Sequence, residues 1–200
     1  MLIGIEGEDL GSGKTIYAVR CCIKDYLNGQ KIISNTPLFN IEYEDFDIDK
    51  FLSNEAEYRK SLSQATILLD EITVYMDCRL SSSKQNLLMG YLVLQSRKRG
   101  LNIYYTTQNL DLVDFKRLVK YTNIIVYAQK IYVKNPDNKL EDLDDYRHYT
   151  IVDMRKRRHN ITKLDIPIKR YFKYYDTDYI VEPLVKSNKP KVKLEVKNAL

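Results

Sequence analysis

Tryptophan is absent and cysteine is scarce. The three cysteines, Cys21, Cys22 and Cys78, lack the spacing of a metal site and fit a reduced, intracellular setting. No apolar run approaches the roughly 18 residues of a membrane-spanning helix. No basic-then-apolar N-terminus marks a secretory signal, and no internal repeat is present. Charge of one sign is not in large excess: the net charge of +5 is too mild to argue a nucleic-acid partner by itself. The basic residues do cluster, at Arg155-Lys156-Arg157-Arg158 and along the tail from Lys186 to Lys197. Seventeen tyrosines are unusual but carry no functional argument. With 200 residues, 44% of them hydrophobic, the chain is long enough for one domain with a core.

What is present begins at the N-terminus. Residues 2–6 form an apolar run that predicts a buried strand. A glycine-rich loop follows and ends in Gly13-Lys14-Thr15. Residues 16–27 then carry apolar side chains at 16, 19, 23, 26 and 27, a helical period. Strand, loop and helix in this order make a phosphate-binding loop, the Walker A element. Glycines let backbone N–H groups close around phosphate oxygens, Lys14 reaches the β and γ phosphates, and the Thr15 hydroxyl holds Mg²⁺. The nucleotide-binding set is Gly7, Asp9, Leu10, Gly11, Ser12, Gly13, Lys14, Thr15 and Ile16. The usual spacing, G-x-x-x-x-G-K-[ST], would place glycine at position 8, where the chain has Glu8. Gly7 comes one residue early, so the loop carries one extra residue.

Two more constellations lie downstream. Ile67-Leu68-Leu69-Asp70-Glu71 is an apolar strand ending in two acids, the Walker B pattern. Asp70 is the expected second Mg²⁺ ligand, and Glu71 the base that polarises the attacking water. Burying two carboxylates at the end of an apolar strand is costly unless a metal or hydrogen bonds compensate. Residues 101–107 form a strand that finishes in Thr-Thr-Gln and places Gln108 to sense the γ phosphate.

The other elements predicted are strands at 31–34, 66–70 and 123–133, and helices at 55–63, 84–99 and 112–119. Asn54 and Glu57 form a capping box. Residues 35–49 and 135–145 are read as loops, 146–155 and 161–168 as antiparallel strands, and 168–175 as a short helix. The resulting class is α/β, a mainly parallel central sheet flanked by helices with a small C-terminal β-rich extension. One ATPase domain covers residues 1–182, with a core at 1–134 and an extension at 135–182. A basic tail covers 183–200.

The acid pair resembles the RecA-like, additional-strand catalytic-glutamate branch of P-loop NTPases, in which an extra strand lies between the two motif-bearing strands. Leu68-Leu69-Asp70-Glu71, then a basic helix end, then Arg99-Gly100-Leu101-Asn102-Ile103 leading to Thr107-Gln108, resembles the FtsK/HerA superfamily. Viral genome-packaging ATPases and zonula-occludens-toxin-like phage assembly ATPases are the members most similar. Tyr174-Tyr175-Asp176-Thr177 also resembles a segment near the end of such viral proteins. This resemblance implies an ATP- and Mg²⁺-dependent homo-oligomeric ring, usually a hexamer, that pumps double-stranded DNA without reading its sequence, with a capsid or portal protein as a further partner. It implies work in the host cytoplasm during virus assembly, or association with the virion. It also implies a positive residue delivered in trans; of Arg79, Arg97, Arg99 and Arg117, Arg97 and Arg99 are favoured because they precede the sensor strand. Two alternatives stay open. One is an ATPase for filamentous virion assembly or export, although such proteins usually carry a membrane span. The other is a thymidylate-like kinase, with Asp77-Cys78-Arg79 in the substrate role.

Overall fold

The computed structural model describes residues 1–7, 9–53, 56–155 and 160–181. Asn54 of the predicted capping box, Lys156 to Arg158 of the basic cluster, and the tail lie outside them.

The first strand, β1 (Leu2–Glu6), runs into the loop and then into helix α1 (Lys14–Leu27). Next come β2 (Lys31–Ser34), a short β3 (Glu44–Asp45), and helices α2 (Ile48–Leu52) and α3 (Ala56–Ser61). The acid-tipped strand is β4 (Ala65–Leu69), followed by α4 (Thr73–Met76) and α5 (Lys84–Gln95). Strand β5 (Asn102–Thr107) carries the Thr-Thr-Gln end. The chain closes with β6 (Ile124–Lys134), β7 (Leu140–Asp153), β8 (Asn160–Pro167) and a 3₁₀ segment at Lys169–Tyr174.

These strands make one sheet in the order β3-β2-β4-β5-β1-β6-β7-β8. From β3 to β6 every pairing is parallel; β6-β7 and β7-β8 are antiparallel. Strand β5 lies between β4 and β1, so the inserted strand expected between the two motif-bearing strands is there. Alternate residues feed two cores. Leu2, Ile67, Leu69, Ile103 and Tyr105 face α2 and α5. Ile3, Ile5, Leu68, Tyr104 and Val126 face α1. Burial on both faces explains why these strands read as continuous apolar runs.

Three expectations are corrected. The stretch 35–49, read as loop, contains β3 and the start of α2; Asp47 caps α2 by accepting the Lys50 N–H at 2.9 Å. The helix at 112–119 is replaced by 3₁₀ turns at Leu110–Leu112 and Val119–Tyr121. There Val113 bridges to Asp77, the Asp114 N–H donates to the Met76 carbonyl, and the Asp114 carboxylate takes the Arg117 N–H and guanidinium. These bonds outcompete a weak helical period. The stretch 135–145 is mostly strand, because β6 and β7 run on past the core as a two-stranded arm. Its side chains are largely exposed on both faces, so no alternation shows in the sequence.

Candidate nucleotide site

All three constellations meet at the carboxyl ends of the parallel strands, where α/β sheets place their ligands. The loop leaves β1 at Gly7 and enters α1 through Gly13, whose φ of 95° is left-handed. A Cβ at Gly13 would also lie 2.5 Å from the Tyr149 hydroxyl, so this position needs glycine on both counts. No side chain caps α1 and its first turn holds no acid, which leaves its N–H groups and positive dipole end open to an anion. Lys14 is 8% exposed, and its ammonium donates to the Gly7 carbonyl at 3.0 Å. The Ser12 hydroxyl is buried without a partner. An orphaned hydroxyl inside this loop fits phosphate oxygens.

The loop's extra length is held from the antiparallel side. Arg147 and Tyr149, two apart on β7, point at it from one face. The Arg147 Nε donates to the Gly11 carbonyl at 2.7 Å, and the Tyr149 hydroxyl donates to the Gly13 carbonyl at 2.9 Å. The Arg147 guanidinium also binds Asp142 at 3.2 and 3.3 Å and the carbonyls of Leu143 and Tyr146. Lys130 joins Asp142 at 3.5 Å. Tyr149 packs on Tyr17 of α1, ring centroids 4.9 Å apart.

On the other side of the loop stands Asp70. Its carboxylate accepts the Thr15 hydroxyl at 3.0 Å and the Thr106 hydroxyl at 2.7 Å. Asn35 clamps its backbone, accepting the Asp70 N–H at 2.7 Å and donating to the Asp70 carbonyl at 2.8 Å. Burial pushes the Asp70 carboxyl above the ordinary value of 3.8, against the pull of Thr106, Thr15 and Lys14. Burial, then the neighbouring Asp70, also raises Glu71. Glu71 has a left-handed φ of 49°, a strained conformation costing roughly 1–3 kcal/mol for a non-glycine residue. Bonds from its N–H to the Thr106 hydroxyl at 2.9 Å, and from the Ile72 N–H to the Thr106 carbonyl at 2.9 Å, hold it there.

Thr15 and Asp70 fit Mg²⁺: one hydroxyl and one carboxylate, already in contact. Among the described residues no three acids, histidines or cysteines gather in metal-binding range. That suits an ion that keeps its waters and takes phosphate oxygens, and not a dedicated protein cage.

The cleft over these residues has a volume of about 570 Å³. Leu10 through Ile16, Asp70, Glu71 and Gln108 line it together. Gly7 and Asp9 instead border a separate hollow beside Tyr127 and Gln129, although the Gly7 carbonyl receives Lys14. The far wall, not anticipated, comes from residues 168–181. This segment is tied down by Phe39 N–H to the Tyr174 carbonyl at 2.8 Å, by Asn40 to the Lys173 carbonyl at 2.6 Å, and by a Leu38–Tyr175 bridge.

Arg97 and Arg99 are not brought to the cleft. They stand before β5, at the amino ends of the strands. Arg97 borders a hollow with Leu2 and Asn102, and Arg99 bonds Gln95 at 2.8 Å. Arg79 and Arg117 are paired with Asp77 at 2.6 Å and Asp114 at 2.7 Å.

No protein-family model matches the chain, and no curated protein matches it. Solved structures do. The N-terminal domain of zonular occludens toxin from Neisseria meningitidis superposes with a TM-score of 0.57 at 15% identity, over 88% of this chain and 98% of that one. The genome-packaging NTPase B204 of Sulfolobus turreted icosahedral virus 2, in complex with ATPγS, gives 0.54 at 13% identity, over 80% and 95%. The KaiC-like protein PH0186 from Pyrococcus horikoshii OT3 gives 0.52 at 15%, over 82% and 84%. The fold is that of a P-loop NTPase. Within that fold, the sheet with its inserted strand is the α/β architecture the sequence implies.

Proposed function

We propose that this chain is a Mg²⁺-dependent ATPase that drives double-stranded DNA, packaging a viral genome. The observation that carries the reading is Asp70 bonded to Thr15 at 3.0 Å, with Glu71 beside it and Gln108 in the same cleft. The B204 NTPase, named for genome packaging and solved with ATPγS, supports the choice of nucleotide and of cargo.

In this reading Lys14 leaves the Gly7 carbonyl for the β and γ phosphates, and the N–H groups at the start of α1 hold the phosphate chain. Thr15 and Asp70 would hold Mg²⁺, which would supply charge neutralisation at the phosphate oxygens. Glu71, its carboxyl raised toward the working pH, takes a proton from the attacking water. Gln108 bonds that water or the γ phosphate and reports whether ATP is intact. A trans cation completes the site in a ring, and the hexamer expected from the sequence is part of the proposal. Because Arg97 and Arg99 sit at the opposite end of the strands, they serve only if the neighbouring subunit turns that end toward the cleft. DNA is held through its phosphates by Arg155 and the basic residues after it, so every sequence is tolerated. The setting would be the host cytoplasm during assembly, or the virion.

A second reading, filamentous virion assembly or export, is favoured by the toxin domain, which this fold covers almost entirely. No helix among the described residues is long and apolar enough to cross a membrane. The kinase reading loses support: Arg79 is exposed, paired with Asp77 and absent from the cleft.

The test is ATP hydrolysis by the purified protein with and without double-stranded DNA. The packaging reading expects stimulation that weakens as salt rises. Hydrolysis indifferent to DNA at low salt contradicts it and favours assembly.

A further inference from the structure

The arm built by the ends of β6 and β7 has no place in either core. Ile131, Tyr132, Val133, Leu140, Leu143 and Tyr146 are apolar, yet none of them belongs to the two clusters that fill the faces of the sheet. Leu140 is 65% exposed. The register sets Tyr132 opposite Asp142 and Lys134 opposite Leu140, so Tyr132 and Leu140 lie diagonally on one face of the ribbon. Val133, opposite Glu141, lies on the other face. A two-stranded ribbon cannot bury side chains on both of its faces by itself, and alone in water it is marginally stable.

Helix α5 has the matching deficit. Its inner side supplies Met89, Leu92 and Val93 to the core. Leu87, Tyr91 and Leu94, at i, i+4 and i+7, make an apolar stripe toward solvent instead. Tyr91 is 60% exposed. Beside the stripe lies a hollow of about 270 Å³, walled by Phe51, Leu88, Tyr91 and Leu92. The two features differ in charge. From residue 84 to 99 the helix and the turn after it carry Lys84, Arg97, Lys98 and Arg99 and no acid. From residue 132 to 144 the arm carries Asp137, Glu141, Asp142 and Asp144 against Lys134 and Lys139. They also sit apart. The arm runs on from the carboxyl end of β6, whereas α5 shares a core with Ile67 and Leu69 of β4 and Ile103 of β5, and β1 stands between β5 and β6.

We propose that the arm of one copy docks on α5 of the next, with Tyr132 and Leu140 against the stripe and hollow at Tyr91 and the acidic ribbon along the basic helix. Two different surfaces of one chain that fit each other make a head-to-tail contact, which closes into a ring when the rotation allows. The proposal rests on the ring in the reading above and names the contact that joins its neighbours. It also ties assembly to the nucleotide site. Asp142 of the arm is bound by Arg147, and Arg147 holds the Gly11 carbonyl, so a docked arm lies one ion pair from the phosphate-binding loop.

The experiment reads the mass of the full chain by sedimentation across protein and salt concentration. Wild type is expected to assemble beyond a monomer and to loosen as salt rises. Leu140→Asp and Tyr91→Asp should each weaken assembly at least about ten-fold. Both positions are exposed in the single chain, so the melting temperature of the dilute protein should not move. Cross-linking then identifies the partners. Leu140→Cys and Tyr91→Cys proteins, treated with a short bismaleimide, should join when mixed; neither alone should join beyond the level that wild type reaches through its own cysteines. Wild type that stays monomeric at every concentration removes the ring reading and this contact with it. Wild type that assembles, with both Asp variants assembling equally well, overturns the contact alone and leaves the arm to a different partner. Mixed cysteine variants that join no better than either one alone overturn it too.

Discussion

The two halves of the sheet do different work. The parallel half, β3 through β6, carries the reactive groups: Lys14, Thr15, Asp70, Glu71 and Gln108 all sit at its carboxyl edge or in the loop leaving it. The antiparallel half contributes no group to the proposed chemistry, yet it holds the loop in place through Arg147 and Tyr149. Reactive residues need a shared edge, which parallel strands provide. Holding a loop one residue longer than usual needs outside support, and an antiparallel strand running beside it provides that.

Removing a group from the parallel half should therefore cost activity far more than stability. Asp70→Asn should lower hydrolysis by roughly a hundred-fold or more, since it deletes a metal ligand. The same change should make the metal-free protein more stable. The Asp70 carboxyl is raised in the fold, so between its ordinary value of 3.8 and the raised one the native state binds more protons than the unfolded chain. Stability then falls as pH rises through that window. Melting temperatures in chelator across pH 4 to 7 should show this decline in wild type and less of it in Asp70→Asn; Glu71, raised in the same direction, accounts for the remainder. An unchanged slope would show that Asp70 is not the buried acid described.

The antiparallel half should behave in the opposite way. Arg147→Met leaves Asp142 with only Lys130 and frees the Gly11 carbonyl, and should cost about 3–5 kcal/mol of stability. At temperatures where the variant is folded, KM for ATP should rise more than kcat falls. Denaturant unfolding together with kinetics would decide; a loss of kcat alone would make Arg147 part of the chemistry. Tyr149→Phe is the mild form of the same break. It removes one hydrogen bond to the Gly13 carbonyl and should cost about 1 kcal/mol, with a few-fold rise in KM.

The same division governs what the sequence discloses. Gly13-Lys14-Thr15 and Asp70-Glu71 are local: each motif is contiguous, and the strand before it is visible as an apolar run. Asn35 and Thr106 touch Asp70 as closely as Thr15 does, but only through register. Leu69 pairs with Tyr105, so Thr106 falls beside Asp70, and Ser34 pairs with Leu68, so Asn35 falls level with Leu69 and reaches the Asp70 backbone one residue on. A shift of one residue in either pairing would turn that strand's side chain away, and nothing local in the sequence fixes the pairing. Thr106 lies in the strand end singled out for Gln108, so it was the nearer to being found. Arg147 and Tyr149 reach the loop across 136 residues of sequence, from buried positions on β7 just beyond the exposed arm. Their only trace is that the two are spaced to share a strand face.

The most direct test of the account is Mg²⁺-dependent ATP turnover by wild type and Glu71→Gln, read together with the affinity of each for ATP. The account predicts unchanged ATP affinity and a kcat lower by about 10²–10⁴-fold, the loss of a general base in a site otherwise assembled. A Glu71→Gln protein that turns over ATP at the wild-type rate would contradict it, because the strained acid at the end of β4 would then not be the group that activates water.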